Sequence, residues 1–138
     1  MAENPQKLAV RPLSPFVTIF RWPITMATSI VHRATGVGLA GGLLVLVWWL
    51  VAAASGPEAY AFFIDLVQTT LGQLVLFGFT WALAFHAVNG IRHLAWDLGY
   101  GFAVKTANIT GIAAIVLSLV IAVAVFALAY TGQGGYFQ

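Results

Sequence analysis

Three apolar runs dominate the pattern of hydrophobic and polar positions along this chain. They extend over residues of about 30–54, 66–94 and 109–130. Each run exceeds the roughly 20 residues that a helix needs to cross a hydrocarbon core of about 30 Å. Lipid offers the backbone no hydrogen-bond partner, and the alternation typical of a barrel strand is missing, so each run is predicted to be helical. We expect an all-α membrane protein with three transmembrane helices.

The segments between the runs agree with this division. Ser55-Gly-Pro-Glu58 is a helix-breaking cluster after the first run, and Gly99-Tyr-Gly101 indicates a turn after the second. Both connections are expected to be short. The prolines near the N-terminus predict an irregular segment with at most a short interfacial helix. We therefore expect an N-terminal segment 1–28, a three-helix domain 29–130 and a tail 131–138.

Composition supports the membrane assignment and narrows the chemistry. Hydrophobic residues make up 61% of the chain and charged residues 7%, with a mean hydropathy of +0.93, which excludes an ordinary soluble domain. The chain has no cysteine, which excludes disulfides, iron–sulfur ligation and thiolate metal sites within it. Any metal must be held by histidine or carboxylate. The net charge of +2 is small and scattered, and no nucleic acid partner is expected.

The positive residues predict the orientation of the bundle. If three spans alternate, all of them fall on one side, which the positive-inside rule identifies as the cytoplasm or a mitochondrial matrix. The N-terminus is then inside and the C-terminus outside. The cations are Lys7, Arg11, Arg21, Arg33, Arg92 and Lys105. Expected interfacial aromatic residues are Trp22, Trp96 and Tyr100 on the inner side, with Tyr60 and Tyr130 on the outer side.

A polar stripe occupies the inner end of the second helix. Its members follow the helical spacing i, i+3, i+4, i+7 and i+11, and they are His86, Asn89, Gly90, His93 and Asp97. His93, Asp97 and the neighbouring Arg92 are expected near the headgroups, either as a solvated or snorkelling helix end or in a functional role. His86 lies roughly 10 Å deeper, among apolar residues. Three interpretations of His86 are open: an interhelical hydrogen bond, a proton relay, or a metal or haem ligand.

The first helix carries a matching stripe at a similar depth, formed by Ser29, His32, Arg33 and Gly36. Arg33 is either a snorkelling anchor or, with His32, a group that binds haem propionates or polarises a quinone carbonyl, with the Ser29 hydroxyl as a further donor. A bis-histidine haem needs two buried histidines on facing helices, and only His86 is clearly buried. A second subunit is therefore expected to supply the other ligand. Further along, Gly38 and Gly42 form a GxxxG pattern, a weak indication of close helix packing.

Four blocks of this sequence resemble the motifs of the large cytochrome b membrane-anchor subunit of succinate dehydrogenase, respiratory complex II. The blocks occur in the family's order and extend from Arg11 to the third helix. They are Arg11-Pro-Leu-Ser-Pro15, Arg21-Trp-Pro-Ile-Thr25, Ser29-Ile-Val-His-Arg-Ala-Thr-Gly36 and His86-Ala-Val-Asn-Gly-Ile-Arg-His-Leu-Ala-Trp-Asp97. Two positions depart from many relatives, which have His where Phe16 stands and Tyr where Phe20 stands.

The resemblance implies roles for the histidines. His86 matches the axial ligand of haem b, and the second ligand comes from the small membrane-anchor subunit. His32 matches a residue that approaches the haem propionates, together with Arg33. His86 is thus the expected metal ligand of this chain.

The resemblance also implies a ubiquinone site on the inner side. Ser29 and Arg33 match residues that line it, with Trp22 and Ile30 at neighbouring positions. Our hypothesis is that Ser29 and Arg33 act catalytically by holding and polarising one quinone carbonyl. Asp97, or water near it, is then the candidate for proton entry from the inner side.

The implied function is that of an anchor rather than a dehydrogenase. The family member binds the flavoprotein and iron–sulfur subunits to the membrane, and electrons from succinate reach ubiquinone there. The chain itself has no dinucleotide fingerprint. Two alternatives remain open: the anchor of a quinol:fumarate reductase, or a small non-redox membrane protein such as an assembly factor or half of a transporter. Because no transit-peptide pattern precedes Arg11, we expect a bacterial inner membrane rather than a mitochondrial one.

Overall fold

The computed structural model describes residues 16–131, and five helices account for most of that range. They are α1 (Phe16–Ile19), α2 (Ile24–Ser55), α3 (Pro57–Gln68), α4 (Thr70–Asp97) and α5 (Val104–Thr131). Helices α2, α4 and α5 are long and apolar enough to cross a membrane. The predicted all-α membrane fold is therefore confirmed. The block Arg11–Pro15, the cation Lys7 and the tail beyond Thr131 lie outside the described residues.

The first long helix is bounded by proline and glycine. Pro23 occupies the N-cap of α2 with an extended backbone (φ −69°, ψ 147°), and its carbonyl accepts from the amides of Met26 and Ala27. At the other end, Gly56 has φ +113° and ψ 176°, a conformation that essentially only glycine adopts. Pro57 then takes the first turn of α3, where its missing N–H costs nothing. This dipeptide lets α3 follow α2 with only Gly56 between the two helices.

Helix α3 replaces most of the short connection expected after the first run. Its apolar residues repeat at i, i+3, i+4 and i+7 as Tyr60, Phe63, Ile64 and Val67, the spacing of a helix with one packed face. Phe63 is buried, and its ring meets Trp48 edge-on at 5.0 Å between centroids. Residues 66–68, expected at the start of the second span, accordingly belong to α3.

Helix α4 begins four residues later than the second apolar run. Its N-cap is Thr69, whose Oγ1 accepts from the amide of Gly72 at 3.0 Å. The other end of α4 leads into the predicted turn, where Gly99 and Gly101 both have positive φ. The second connection is therefore short, as the sequence predicted.

The three long helices form an antiparallel bundle with α4 in contact with both α2 and α5. Gly36 lies against His86 and Gly42 against Phe79, so residue numbers rise along α2 as they fall along α4. We call the end with Ile24, Asp97 and Val104 the inner end, and the end with Ser55, Thr70 and Thr131 the outer end. Packing against the other long helices buries a row of small residues on α5, namely Ala107, Gly111, Ala114, Ser118 and Ala122.

The lateral surface of the bundle, which surrounds the three long helices, is apolar. Val37 and Leu44 on α2 are 77% and 72% exposed, and similar side chains cover α4 and α5. Water would disfavour such a surface, whereas lipid chains or another apolar helix would not. Of the GxxxG pair, Gly42 admits the ring of Phe79, while Gly38 faces open space. The pattern therefore gives close packing inside this chain at one of its two glycines.

Candidate functional site

The candidate site lies in the inner half of the interface between α2 and α4, around His86. The His86 ring is half-buried, and its Nδ1 lies 3.2 Å from the carbonyl oxygen of His32 and 3.3 Å from Oγ1 of Thr35. The Thr35 hydroxyl donates to the same carbonyl at 2.9 Å. The interhelical hydrogen bond that the sequence left open is therefore present.

This hydrogen bond leaves the other ring nitrogen of His86 available. A carbonyl is only an acceptor, so it selects the tautomer with the proton on Nδ1, and Nε2 then keeps its lone pair. A metal-binding histidine is commonly held in this way by a carbonyl behind it. Both hydrogen-bond contacts of His86 within the described residues use Nδ1. The structural and the ligand interpretations of His86 are thus compatible.

Gly36 permits the close approach of α2 to this imidazole. A Cβ built on Gly36 would lie 3.2 Å from Cε1 and 3.7 Å from Nδ1 of His86. Any larger side chain would press on the ring. Gly90, at the other end of the same turn of α4, has open space around its Cα.

All three histidines of the chain lie in one stack. The ring of His32 is nearly parallel to that of His86, with centroids 3.9 Å apart and 10° between the planes. On its other side His32 faces His93 at 5.1 Å and 16°. His93 also donates from Nδ1 to the carbonyl of Asn89, 2.8 Å away. The structure thus brings the two polar stripes together through their histidines.

Two buried polar atoms in this region have no hydrogen-bond partner within the described residues. They are Nδ1 of His32 and Nδ2 of Asn89. Buried polar groups in native proteins nearly always have a partner. Both atoms are therefore candidates for contact with a bound group or an ordered water. Within residues 16–131 no cluster of three or more potential ligands could hold a metal ion by itself.

Three of the four residues expected at the quinone site, Ser29, Ile30 and Arg33, lie in the first three turns of α2, and Trp22 precedes that helix. Ser29 is half-buried and Arg33 is exposed, while Ile30 is 44% and Trp22 67% exposed. Ser29 and Arg33 are one turn apart on the helix and so share a face. Neither side chain forms a hydrogen bond within the described residues. These residues alone would form only one wall of a quinone site.

Asp97 stands apart from the histidines. It is the last residue of α4 and is exposed. Its position at the inner end places it beside the turn that leads to α5. The structure therefore leaves it open to the surroundings at that end.

Arg92 is the residue whose surroundings the sequence described least well. It was expected near the headgroups, yet it is buried between α4 and α5. Its Nε donates to Thr110 Oγ1 at 3.0 Å, and its two terminal nitrogens donate to Asn89 Oδ1 at 3.3 Å and to the Ala107 carbonyl at 2.9 Å. Its guanidinium carbon also lies 4.0 Å from the ring centroid of Trp96. The signal was in the sequence, because Arg92 continues the buried face of Ala82, Phe85 and Asn89.

A cavity lies between α2, α3 and α4, nearer the outer end of the bundle than His86. The cavity has a volume of about 880 Å³ and an almost wholly apolar lining. It begins one helical turn from the site, since Leu83 precedes His86 by three residues and Leu39 follows Gly36 by three. The interface of α2 and α4 thus changes from polar at the inner end to apolar in the outer half.

Comparison with known proteins identifies the family. Residues 7–126 match the model of the succinate dehydrogenase/fumarate reductase transmembrane subunit. The chain is 42% identical over 113 residues to the succinate dehydrogenase cytochrome b556 subunit of Paracoccus denitrificans, covering 82% of this chain and 87% of that protein. It is 39% identical over 111 residues to the corresponding subunit of Rickettsia typhi, covering 80% and 86%.

A mitochondrial protein is also similar. The chain is 36% identical over 113 residues to the succinate dehydrogenase cytochrome b560 subunit of Mus musculus, covering 79% of this chain and 66% of that protein. The family model and these relatives confirm the resemblance that the sequence indicated. The chain therefore belongs to the succinate dehydrogenase/fumarate reductase transmembrane subunits, as a cytochrome b anchor subunit of complex II.

Proposed function

We propose that this chain is the cytochrome b anchor of a succinate:ubiquinone oxidoreductase, that it co-ligates haem b through His86, and that it forms part of the ubiquinone-reduction site. The observation that carries the proposal is the arrangement of His86, whose Nδ1 is held by the His32 carbonyl while Nε2 keeps its lone pair. The relatives' printed names, cytochrome b556 and b560 subunits, support the choice of haem b as the bound group.

The residues around His86 fit a haem. Gly36 leaves the imidazole room that a Cβ would fill, and the unpaired Nδ1 of His32 supplies a polar atom for a propionate. Haem b, when bound, supplies an iron that takes up and releases one electron at a time. This chain's part is to fix the tautomer and direction of His86 through the His32 carbonyl and the Thr35 hydroxyl.

The second axial ligand belongs to another chain in this proposal. The lone pair of an imidazole nitrogen lies in the plane of its ring, and the rings of His32 and His86 are stacked within 10° of parallel. Two stacked rings cannot point their nitrogens at one iron from opposite sides. His93 lies on the far side of His32 in the same stack. We therefore propose that another chain supplies the remaining ligand, and the resemblance implies that it is the small membrane-anchor subunit.

Ser29 and Arg33 are proposed to hold the quinone. Their positions one turn apart on α2 allow a hydroxyl and a guanidinium to reach one carbonyl oxygen together. Reduction places negative charge on that oxygen, and positioned donors stabilise charge where it develops. Trp22 and Ile30 add apolar surface for the quinone ring. Asp97, exposed at the inner end, delivers protons directly or through water.

The proposal includes the partners and the orientation. The iron–sulfur and flavoprotein subunits bind at the inner end, because this chain has no cysteine for a cluster and electrons must reach a quinone at Ser29 and Arg33. The exposed cations Arg21, Arg33 and Lys105 lie in the inner half, which supports an N-terminus on the cytoplasmic side, and we place the chain in a bacterial inner membrane. Quinol:fumarate reduction is the second candidate, since the family model covers both enzymes. The quinone that co-purifies distinguishes the two.

The test is a reduced-minus-oxidised absorption spectrum of the purified complex. The wild type should show the bands of a b-type haem, and His86→Ala should lose them or show a changed ligand field. His93→Ala is the matched control, because it removes an imidazole of the same stack that the proposal does not assign to iron. A wild-type complex without haem, or a His86→Ala complex with an unchanged spectrum, would contradict the haem assignment.

The quinone assignment has its own measurement. Arg33→Leu should lower ubiquinone reductase activity and raise the KM for quinone, while succinate oxidation with a soluble electron acceptor stays near the wild-type rate. Val37→Ala, one turn along the same exposed face, should change neither. If Arg33→Leu left both quinone parameters unchanged, the role of Arg33 would be wrong.

A further inference from the structure

A small cavity lies at the inner end of the interface between α4 and α5, on a different side of α4 from the interface with α2. Its volume is about 270 Å³. Arg92, Trp96, Tyr100 and Thr110 line the part nearest the turn between the helices, and apolar residues including Ala113 and Leu117 line the rest. None of the residues proposed for haem or quinone lines this cavity.

The cavity contains a cation without a counter-charge. Arg92 is only 8% exposed, and its three hydrogen-bond partners, Asn89, Thr110 and the Ala107 carbonyl, are all neutral. No carboxylate among residues 16–131 pairs with it. A guanidinium has five N–H donors, so these three bonds leave donors for another acceptor. A charge inside a membrane helix without an opposite charge is costly, and such a residue is by default a candidate functional residue.

The shape of the cavity adds a second requirement. Its lining runs from Val88 to Trp96 on α4 and from Thr110 to Leu117 on α5, so it extends about 10 Å along the bundle at 1.5 Å per residue. The cation lies at the end near the turn, and the apolar lining continues away from it towards the centre of the bundle. Trp96 and Tyr100 flank the charged end, as aromatic residues commonly do at the level of lipid headgroups.

We propose that this cavity binds an anionic glycerophospholipid, with its phosphate near Arg92 and the start of an acyl chain along Ala113 and Leu117. The lipid phosphate supplies the negative charge that Arg92 lacks, and guanidinium–phosphate contacts are among the stronger charge-assisted hydrogen bonds. A free phosphate ion would satisfy the cation and leave the apolar lining empty. A carboxylate from a neighbouring subunit would do the same. The combination of one cation and a continuous apolar lane therefore favours a lipid.

The experiment uses the purified whole complex. The complex is stripped of loosely bound lipid in a neutral detergent and titrated with dioleoyl phosphatidylglycerol or, separately, with dioleoyl phosphatidylcholine. Bound lipid is counted by native mass spectrometry. The wild type should retain phosphatidylglycerol in preference to phosphatidylcholine. Arg92→Gln should weaken that retention at least about tenfold, the effect of losing a hydrogen bond to a charged group.

A second variant tests the cavity even if Arg92→Gln fails to fold. Ala113→Phe fills the apolar lane from an exposed position of α5 and leaves every hydrogen bond of Arg92 in place. It should also reduce phosphatidylglycerol retention. Its matched control is Ala124→Phe, the same change at another exposed position of α5 that does not line the cavity, which should retain the lipid.

Three results would overturn the proposal. The first is equal retention of the two lipids by the wild type, which would mean that Arg92 serves only to hold α4 and α5 together. The second is normal retention in Ala113→Phe. The third is displacement of the bound phosphatidylglycerol by millimolar inorganic phosphate, which would identify a site for a soluble anion. None of these three results depends on haem content or quinone reduction. The lipid proposal can therefore fail while the proposed function stands, and the reverse is also true.

Discussion

Gly36 offers a sharp test of the contact that positions His86. In an ordinary exposed helix, replacing glycine by alanine stabilises the helix by about 1 kcal/mol, because the unfolded glycine loses more conformational freedom. At Gly36 the added methyl group would meet Cε1 of His86 at 3.2 Å, closer than ordinary van der Waals contact. The imidazole must therefore move by a few tenths of an ångström.

That movement has a cost that the structure allows us to estimate. The hydrogen bond from His86 Nδ1 to the His32 carbonyl is already 3.2 Å long, near the upper limit for such bonds. Lengthening it by a few tenths of an ångström removes most of its contribution of about 1 kcal/mol. The loss offsets the gain in helix propensity. The Gly36→Ala complex should therefore unfold at or below the wild-type temperature.

Gly38→Ala is the matched control for this experiment. Gly38 lies two residues further along the same helix, and a Cβ there would have no neighbour within 4 Å. It should show the gain in helix stability without the cost, so the two variants should differ by about 1 kcal/mol in free energy of unfolding. Thermal unfolding of the purified complexes measures this difference. The reduced-minus-oxidised spectrum should also shift in Gly36→Ala and stay unchanged in Gly38→Ala.

Equal behaviour of the two alanine variants would contradict this role of Gly36. Equal unfolding temperatures, together with identical haem spectra, would mean that the ring of His86 is free to move away from α2 at no cost. The contact with Gly36 would then have no part in holding the ligand.

Three further substitutions test other contacts. Thr35→Val removes a hydroxyl from His86 and should destabilise the complex by about 1 kcal/mol in thermal unfolding, whereas Thr35→Ser should restore most of the loss; equal behaviour of the two would refute a role for the hydroxyl. Gly42→Ala places a Cβ 3.0 Å from the Phe79 ring and should cost about 1–3 kcal/mol, which Phe79→Leu in the same chain should relieve; purely additive effects would count against this contact. Gly56→Ala forces φ +113° on a residue with a Cβ and should cost about 1–3 kcal/mol by the same assay, and a neutral result would mean that the link from α2 to α3 can relax.

The long helices could be predicted from the sequence because the bilayer sets their length. An apolar run of more than 20 residues has few alternatives to a transmembrane helix. Helix α3 was missed for a related reason. The breaker Gly56-Pro57 suggested a loop, although proline is well tolerated in the first turn of a helix, and the repeat of Tyr60, Phe63 and Val67 already indicated a packed helical face.

The site could be predicted in part. Helical spacing places His32 and His86 on polar stripes at similar depth, but the rotation of α2 relative to α4 depends on packing between helices. Their stacking at 3.9 Å therefore could not be read from either helix alone. Arg92 shows the opposite error. Its depth suggested a residue near the headgroups, whereas its position on the face of Phe85 and Asn89 directs it into the interface with α5.

Side-chain hydrogen bonds between the long helices are unevenly distributed. At the inner end Arg92 joins α4 to Thr110 and Ala107 of α5, and at the outer end the hydroxyl of Tyr130 donates to Gln73 Oε1 at 2.6 Å. Helices α4 and α5 thus form a helical hairpin that hydrogen bonds join at both ends. Helix α2 joins that hairpin mainly through packing and through the contacts of His86.

The residues of the site are therefore divided between the α4–α5 hairpin and α2. The hairpin carries the imidazole of His86, while α2 carries the carbonyl and the glycine that orient it. A correctly directed Nε2 therefore exists only after α2 has docked. If His86 is the haem ligand, as proposed, haem binding would depend on the docking of α2 against α4, because the two helices together orient that imidazole.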